Sequence, residues 1–299
     1  MSTTDPEKRL DEFLAEHRLP PRFRRLVEQF HFPLADWIAR QPRPCERPLL
    51  IGISGAQGTG KSTLAGVLKL ILESAHGWRV AALSLDDFYL THAERQRLAV
   101  ELHPLLAMRG VPGTHDLPML HASLAGLQAL RKDQVLRIPT FDKASDDRRA
   151  PEDWAEVSGP LQAILLEGWC IGSRAQAEEA LAQPVNALER ERDPTGEWRR
   201  FVNAQLAGPY AQLFEQLDRL VWLRAPSFAA AHRWRMEQEQ KLAARSSASP
   251  GAVMCPADVG VFLQYFERIT RADFHVLPRQ ADAVLELDEQ HDATQLRFR

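Results

Sequence analysis

The chain has 299 residues, 44% hydrophobic and 26% charged, with 37 basic against 40 acidic side chains and a formal net charge of −3. This is the composition of a globular chain long enough for one large domain or two small ones, and it excludes a global basic field that would draw nucleic acid or an anionic membrane. No apolar run approaches the roughly 20 residues of a membrane span.

Residues 1–7 are polar and acidic, unlike a secretory leader. Residues 6–42 carry Leu10, Phe13, Leu14, Leu19, Phe23, Leu26, Val27 and Phe30 at three- and four-residue steps, the period of an amphipathic helix. Pro20-Pro21 divides this stretch into two helices. We expect an N-terminal helical extension over residues 1–48, joined through Gln41-Pro42-Arg43-Pro44 to a main domain over 49–299.

From there strand-like and helix-like segments alternate. Short apolar strands are expected at 49–54, 79–85, 163–166, 219–224 and 282–287. Helices are expected near 61–75, 118–131, 197–217 and 256–271, with a polar helix over 232–241. Such alternation predicts an α/β fold, a three-layer α/β/α arrangement around a five-stranded parallel sheet, with ligands at the carboxyl ends of the strands. Polar stretches at 142–153 and 244–252 read as mobile, and lid and substrate loops are expected within about 104–153 and 228–258. Val259, Val261, Phe262, Tyr265, Phe266 and Ile269 read as one apolar helix face.

The first strand runs into Gly55-Ala56-Gln57-Gly58-Thr59-Gly60-Lys61-Ser62, with Thr63 opening the helix behind it. Strand, glycine-rich loop and helix together form a P-loop. Its backbone N–H groups curl around an anion, Lys61 reaches the outer phosphates and the Ser62 hydroxyl holds Mg²⁺. These residues therefore predict an ATP site. The second strand ends in Ser84-Leu85-Asp86-Asp87-Phe88-Tyr89, which puts two carboxylates on the same crevice. The third ends in Leu165-Leu166-Glu167-Gly168-Trp169, a hydrophobic strand closed by an acid that can bind Mg²⁺ through water. The three cysteines, Cys45, Cys170 and Cys255, are scattered and form no CxxC, which points to a reducing cytoplasm without disulfide or zinc framework. Cys170 reads as a small packing residue, and Trp234 as packing rather than a base-stacking platform.

Together these residues resemble the phosphoribulokinase, uridine kinase and pantothenate kinase group of P-loop kinases. Arg109-Gly110-Val111-Pro112-Gly113-Thr114-His115-Asp116-Leu117-Pro118, Pro139-Thr140-Phe141-Asp142-Lys143 with Asp147-Arg148, and Gly159-Pro160-Leu161 narrow the resemblance to the D-glycerate 3-kinases of plant and fungal type and their bacterial relatives, over about residues 49–290. The resemblance implies phosphorylation of the primary hydroxyl of glycerate, with ATP and Mg²⁺, to give 3-phosphoglycerate. It implies Asp86 as general base, with Lys61 and Arg233 as further catalytic groups. Ser62, Asp87 and Glu167 would surround the metal, and Arg235 is the alternative to Arg233 as lid arginine. Tyr89, Arg109, His115, Asp116, Asp142, Lys143 and Arg148 would bind the acceptor, a small molecule whose carboxylate calls for a forked cation. Phe141 stands where the family often has Tyr, so it offers no hydroxyl. Another acceptor of the same group (pantothenate, a nucleoside or a sugar phosphate) and a nucleotide-driven switch are the alternatives, and the number of chains in the assembly is left open.

Overall fold

The computed structural model describes residues 6–44, 46–245 and 256–299. Cys45, Cys255 and most of the polar stretch 244–252 lie outside the described residues. Among the described residues there are ten strands: β1 (Leu49–Gly55), β2 (Val80–Ser84), β3 (Val135–Ile138), β4 (Phe141–Asp142), β5 (Asp147–Arg148), β6 (Ala155–Ser158), β7 (Ala163–Gly168), β8 (Arg219–Arg224), β9 (Ala283–Leu287) and β10 (Ala293–Phe298).

The main sheet has six strands in the order β10-β9-β8-β1-β7-β2. The five expected strands pair in parallel, while β10 runs antiparallel on the edge beside β9. The five-stranded expectation is thus corrected by one strand. Ala293-Thr294-Gln295-Leu296-Arg297-Phe298 lacks a continuous apolar run because an edge strand is covered on one side only.

The central strands β1 and β7 are buried from end to end, and β8 in all but its terminal arginines. Side chains alternate between faces, as strand geometry requires. Leu50, Ile164, Leu166 and Trp222 join the core on one face, which holds the helices Leu117–Ala129 and Pro256–Val276. Leu49, Ile51, Ile53, Leu165, Val221 and Leu223 join the core on the other. There the P-loop helix, Lys61–His76, packs with the N-terminal helices.

The N-terminal region folds as helix Pro6–Glu16, a turn at Pro20-Pro21, and a helical run from Arg22 to Ala39 that widens to a π-turn at Val27–His31. Val27, Leu34, Ala35 and Ile38 are fully buried in the same core as β1 and the P-loop helix. On the helix Pro256–Val276, Val259, Tyr265, Phe266 and Ile269 are buried and Phe262 packs partly on them. Val261 is 49% exposed, however, and Leu263 takes the inward place. Two residues apart on a helix point about 200° apart, so Val259 and Val261 cannot share a face.

Residues 135–158 differ most from expectation. They form two nested hairpins, β3 with β6 and β4 with β5, so that the stretch 142–153, expected as a mobile polar loop, lies within a paired arm. Leu136, Ile138 and Val157 supply the apolar side of this arm. Strand order also decides what meets at the sheet's carboxyl edge. In register, Glu167 lies level with Ile53 of β1 and Ser84 of β2, so the ends of β1, β2 and β7 open on one crevice.

Because the N-terminal helices share a core with the sheet, Leu34→Ala should destabilise the whole chain by roughly 2–5 kcal/mol. Urea unfolding followed by tryptophan fluorescence checks this. A single transition at lower denaturant is expected, whereas an unchanged main transition would mean that residues 1–48 fold apart from the rest.

Candidate active site

The loop after β1 is closed on itself by one carbonyl. Ala56 O accepts from Thr59 N–H at 3.3 Å, from Thr59 Oγ1 at 2.8 Å and from Lys61 Nζ at 3.2 Å. Gly60 caps the helix Lys61–His76 with left-handed backbone and no capping side chain, so the first-turn amides face the loop. Gly58 has φ +80°, and a Cβ there would stand 3.0 Å from the backbone N of Arg235. Glycine is needed on both counts, since the conformation is strained for L side chains and the neighbour is backbone. The same contact shows that the helix Phe228–Arg245 bears directly on the loop.

Ser62 Oγ donates to Glu167 Oε1 at 2.7 Å. Asp87 lies otherwise: its Oδ1 accepts from Phe141 N–H at 3.2 Å and so holds the arm to the end of β2. Burial pushes the Asp87 carboxyl up, and neighbouring Asp86 adds to that. Hydroxyl and carboxylate oxygens at Ser62 and Glu167 are hard donors of the kind Mg²⁺ takes, one or two at a time beside phosphates.

Asp86 is the centre of the crevice. Tyr89 Oη donates to its Oδ1 at 2.7 Å and Lys143 Nζ donates to its Oδ2 at 2.7 Å. Desolvation pushes this carboxyl up. Lys143, the Tyr89 hydroxyl and Lys61 together outweigh that and hold it well below the usual carboxylate range. Lys61 is pushed down by burial, with Glu167 and Asp86 pulling the other way.

Around Asp86 sits an aromatic wall. The Tyr89 ring lies 4.8 Å from the His115 ring and 5.1 Å from Phe141, and Arg109 lies over Phe141 at 5.7 Å. The loop carrying Arg109 and His115 is tightly built. Thr114 Oγ1 accepts from Gly110 N–H at 2.9 Å, and Trp169 Nε1 donates to Gly110 O at 2.7 Å. A Cβ at Gly113, where φ is +98°, would stand 2.6 Å from Phe201. His115 itself is 5% exposed, and burial pushes its imidazole down to about 4 although Asp86 pulls the other way. The ring is therefore neutral at pH 7 and acts as a hydrogen-bonding group, not as a cation.

The remaining expected acceptor residues, Asp116, Asp142 and Arg148, are hydrogen-bonded to neighbouring segments. Asp116 caps the helix Leu117–Ala129 through Met119 N–H at 3.0 Å and takes Arg148 at 3.0 Å on its second oxygen. Arg148 also donates to Tyr89 O at 3.1 Å. Asp142 closes the arm's tip, accepting from Ala144 N–H at 3.1 Å and Ser145 Oγ at 2.9 Å. Arg233 pairs with Glu289 in the turn between β9 and β10, away from the acceptor side. Trp234 is buried and stacks on His291 at 4.2 Å, which makes it packing as expected.

Two groups carry no signal in the sequence. Arg95, 1% exposed, donates to Leu90 O, Ala107 O and Asp146 O, and Asp146 also binds His92 and Arg109. This knot fastens the arm to the helix His92–Glu101. A polar-looking helix hides it, because only tertiary contact tells a buried arginine from a solvated one. Behind the P-loop, burial pushes the Asp273 carboxyl up to about 8 while Ser173 Oγ donates to it at 2.8 Å.

No family model matches the chain. It is 34% identical over 226 residues to the uncharacterized kinase mug58 of Schizosaccharomyces pombe, covering 71% of this chain and 77% of that one. It is 34% identical over 200 residues to the chloroplastic D-glycerate 3-kinase of Arabidopsis thaliana, covering 64% of this chain and 41% of that enzyme's length. A solved structure of a D-glycerate 3-kinase from Cryptococcus neoformans superposes with a TM-score of 0.69 at 25% identity, over 90% of this chain and 95% of that one. Among the described residues, no helix is long and apolar enough to cross a membrane.

Lys143→Met should raise the Asp86 pKa, since it removes the cation that does most to stabilise the charged form. The acid limb of the kcat/KM profile should then move to higher pH. The stability Asp86 contributes in the wild type is present above its unfolded pKa of about 4 and is lost as pH falls towards its lower folded value. The Tm deficit of the variant should therefore be largest near neutrality and shrink below about pH 4. Thermal scans across pH check the second point, and a deficit that grew in acid would contradict the assignment.

Proposed function

We propose that this chain, which belongs to the D-glycerate 3-kinase family of P-loop kinases, transfers the γ-phosphoryl group of ATP to the primary hydroxyl of D-glycerate, giving 3-phosphoglycerate. The observation that carries this reading is the meeting, at one sheet edge, of an anion-binding loop with an ionised carboxylate that has Lys143 at 2.7 Å and an aromatic wall topped by Arg109. A nucleotide-driven switch has no need of this acceptor side.

Phosphoryl transfer depends mainly on positioning and on neutralising charge. The loop amides and Lys61 bind the β- and γ-phosphates. Asp86 accepts the proton of the attacking hydroxyl, and Tyr89 keeps its carboxylate in place. Lys143 holds Asp86 ionised and stands where charge on the transferred group can be neutralised. Arg109 offers its guanidinium to the glycerate carboxylate. We assign Asp116, Asp142 and Arg148 to the frame that shapes this pocket, because Asp116 caps a helix and takes Arg148 while Asp142 closes the turn at the arm's tip.

Ser62 and Glu167 would hold Mg²⁺, which when bound supplies charge neutralisation on the phosphates. Glu167 is preferred to Asp87 because it already meets the Ser62 hydroxyl, whereas Asp87 is engaged with Phe141 N–H. For the lid arginine, both side chains have partners, Arg233 with Glu289 and Arg235 with Gln238 and the Phe262 ring, and we assign the role to Arg235 because its backbone bears on Gly58 of the loop. The free, buried thiol of Cys170 supports a reducing, cytoplasmic setting.

An ADP-release assay with Mg·ATP and D-glycerate, L-glycerate, pantothenate, uridine, ribulose 5-phosphate or no acceptor tests the substrate. Turnover with D-glycerate alone is expected. Turnover with a different acceptor keeps the chemistry and moves the substrate, and ADP release indifferent to acceptor would overturn the kinase reading. Asp86→Asn should lower transfer by roughly 100- to 10,000-fold while leaving ATP affinity in place. Arg235→Ala should lower kcat more than Arg233→Ala does, and the opposite order would return the lid role to Arg233.

A further inference from the structure

A buried contact joins the acceptor pocket to the core behind it. His115 Nδ1 lies 2.5 Å from the hydroxyl of Tyr210, a residue fully buried in the core. The same hydroxyl accepts from Gly113 N–H at 3.1 Å. A phenol has one proton to give. The oxygen keeps a second lone pair, but no other acceptor for the phenol proton stands among the described residues, so that proton is assigned to His115 Nδ1 as the bare, accepting nitrogen. In a neutral ring the proton sits on Nε2. His115 Nε2 is itself buried and has no hydrogen-bond partner among the described residues. It is thus a donor without an acceptor, on a ring packed 4.8 Å from Tyr89, whose own hydroxyl reaches Asp86. Buried donors in folded proteins are normally matched, and an orphan in a ligand pocket points to an acceptor supplied by the ligand.

We propose that Tyr210 is a positioning residue for acceptor binding: its hydroxyl locks His115 in the Nε2–H form, and that N–H donates to an oxygen of the acceptor substrate. His115 is the group that touches substrate, and Tyr210 acts through it. The local backbone fits this assignment. A regular helix is expected over residues 197–217, but the chain takes a π-turn at Leu206–Tyr210, with Pro209 inside it and Tyr210 as its last residue. Such a turn re-aims the side chains at its end, and π-turns are frequent at functional sites. The inference deepens the proposed kinase reading and rests on its acceptor pocket.

The test combines one spectrum with one mutant cycle. ¹⁵N-histidine NMR of the wild-type protein at neutral pH should show His115 with Nδ1 bare and Nε2 protonated, and D-glycerate should shift the Nε2 resonance. The tautomer of the ligand-free protein stands or falls separately from the identity of the acceptor, whereas the shift with D-glycerate also tests that identity. Tyr210→Phe keeps the ring and removes the hydroxyl. It should lower kcat/KM for the acceptor by roughly 10- to 100-fold, mostly through KM, with the KM for ATP unchanged. His115→Gln places an amide N–H close to where Nε2 stands and has no tautomer to select. It should retain more activity than His115→Ala, and adding Tyr210→Phe to it should cost less than about twofold. A protonated Nδ1 in the wild-type spectrum would overturn the proposal, whether or not Tyr210→Phe folds. So would equal losses from Tyr210→Phe in the wild-type and His115→Gln backgrounds, which would make Tyr210 a support for the loop alone.

Discussion

Asp86 is held from two sides, by Tyr89 on its own turn and by Lys143 from the tip of an arm far along the chain. Nearly every other polar contact of the pocket serves this junction. Asp87 fastens the arm's base by taking Phe141 N–H. Asp146 ties its far side to the fully buried Arg95 and to Arg109. Arg148 and Asp116 lock the arm to the turn that carries Tyr89 and to the start of the helix Leu117–Ala129. A carboxylate facing a phosphate loop would lose its charge or its position without such fixing, because desolvation alone favours the neutral acid. The cations that keep it ionised also orient it.

Environment therefore sets opposite protonation states a few ångströms apart. Asp86 stays charged in a partly desolvated crevice because Lys143 and Lys61 are near. His115 stays neutral because it is buried with only a phenol as direct partner. The two groups divide the labour expected of a site that must take a proton from one oxygen and bind others without a second full charge. The phosphate side is simpler. Its loop is set by glycine backbone and by the start of a helix, and the helix Phe228–Arg245 rests on it through Trp234 and Arg235.

The parts of this protein legible in the sequence are those with local causes. The P-loop is read from glycines, a lysine and a serine at fixed spacing between a strand and a helix. The five parallel strands are read from short apolar runs, because strands covered on both faces need them. Asp86 and Glu167 are read from their places at strand ends. The edge strand β10 escaped because one of its faces meets solvent, and the hairpin arm escaped because its polar tip reads as loop. Val261 was assigned to a face it cannot share with Val259.

What only tertiary structure decided is partnership. Spacing cannot tell that Asp87 holds a backbone amide while Glu167 meets Ser62, since both are acids at strand ends. It cannot tell that Asp116 caps a helix and takes Arg148 while Asp142 turns back on Ala144 and Ser145, or that Arg95 is buried while its helix looks solvated. Nor can it bring Tyr210 to His115 across the fold. By itself the sequence determined the backbone devices that make a phosphate-binding α/β domain, because those depend on residues adjacent in the chain. The charge, tautomer and orientation of the acceptor side depend on desolvation and on hydrogen bonds between distant segments, and these exist only once the sheet has brought them together.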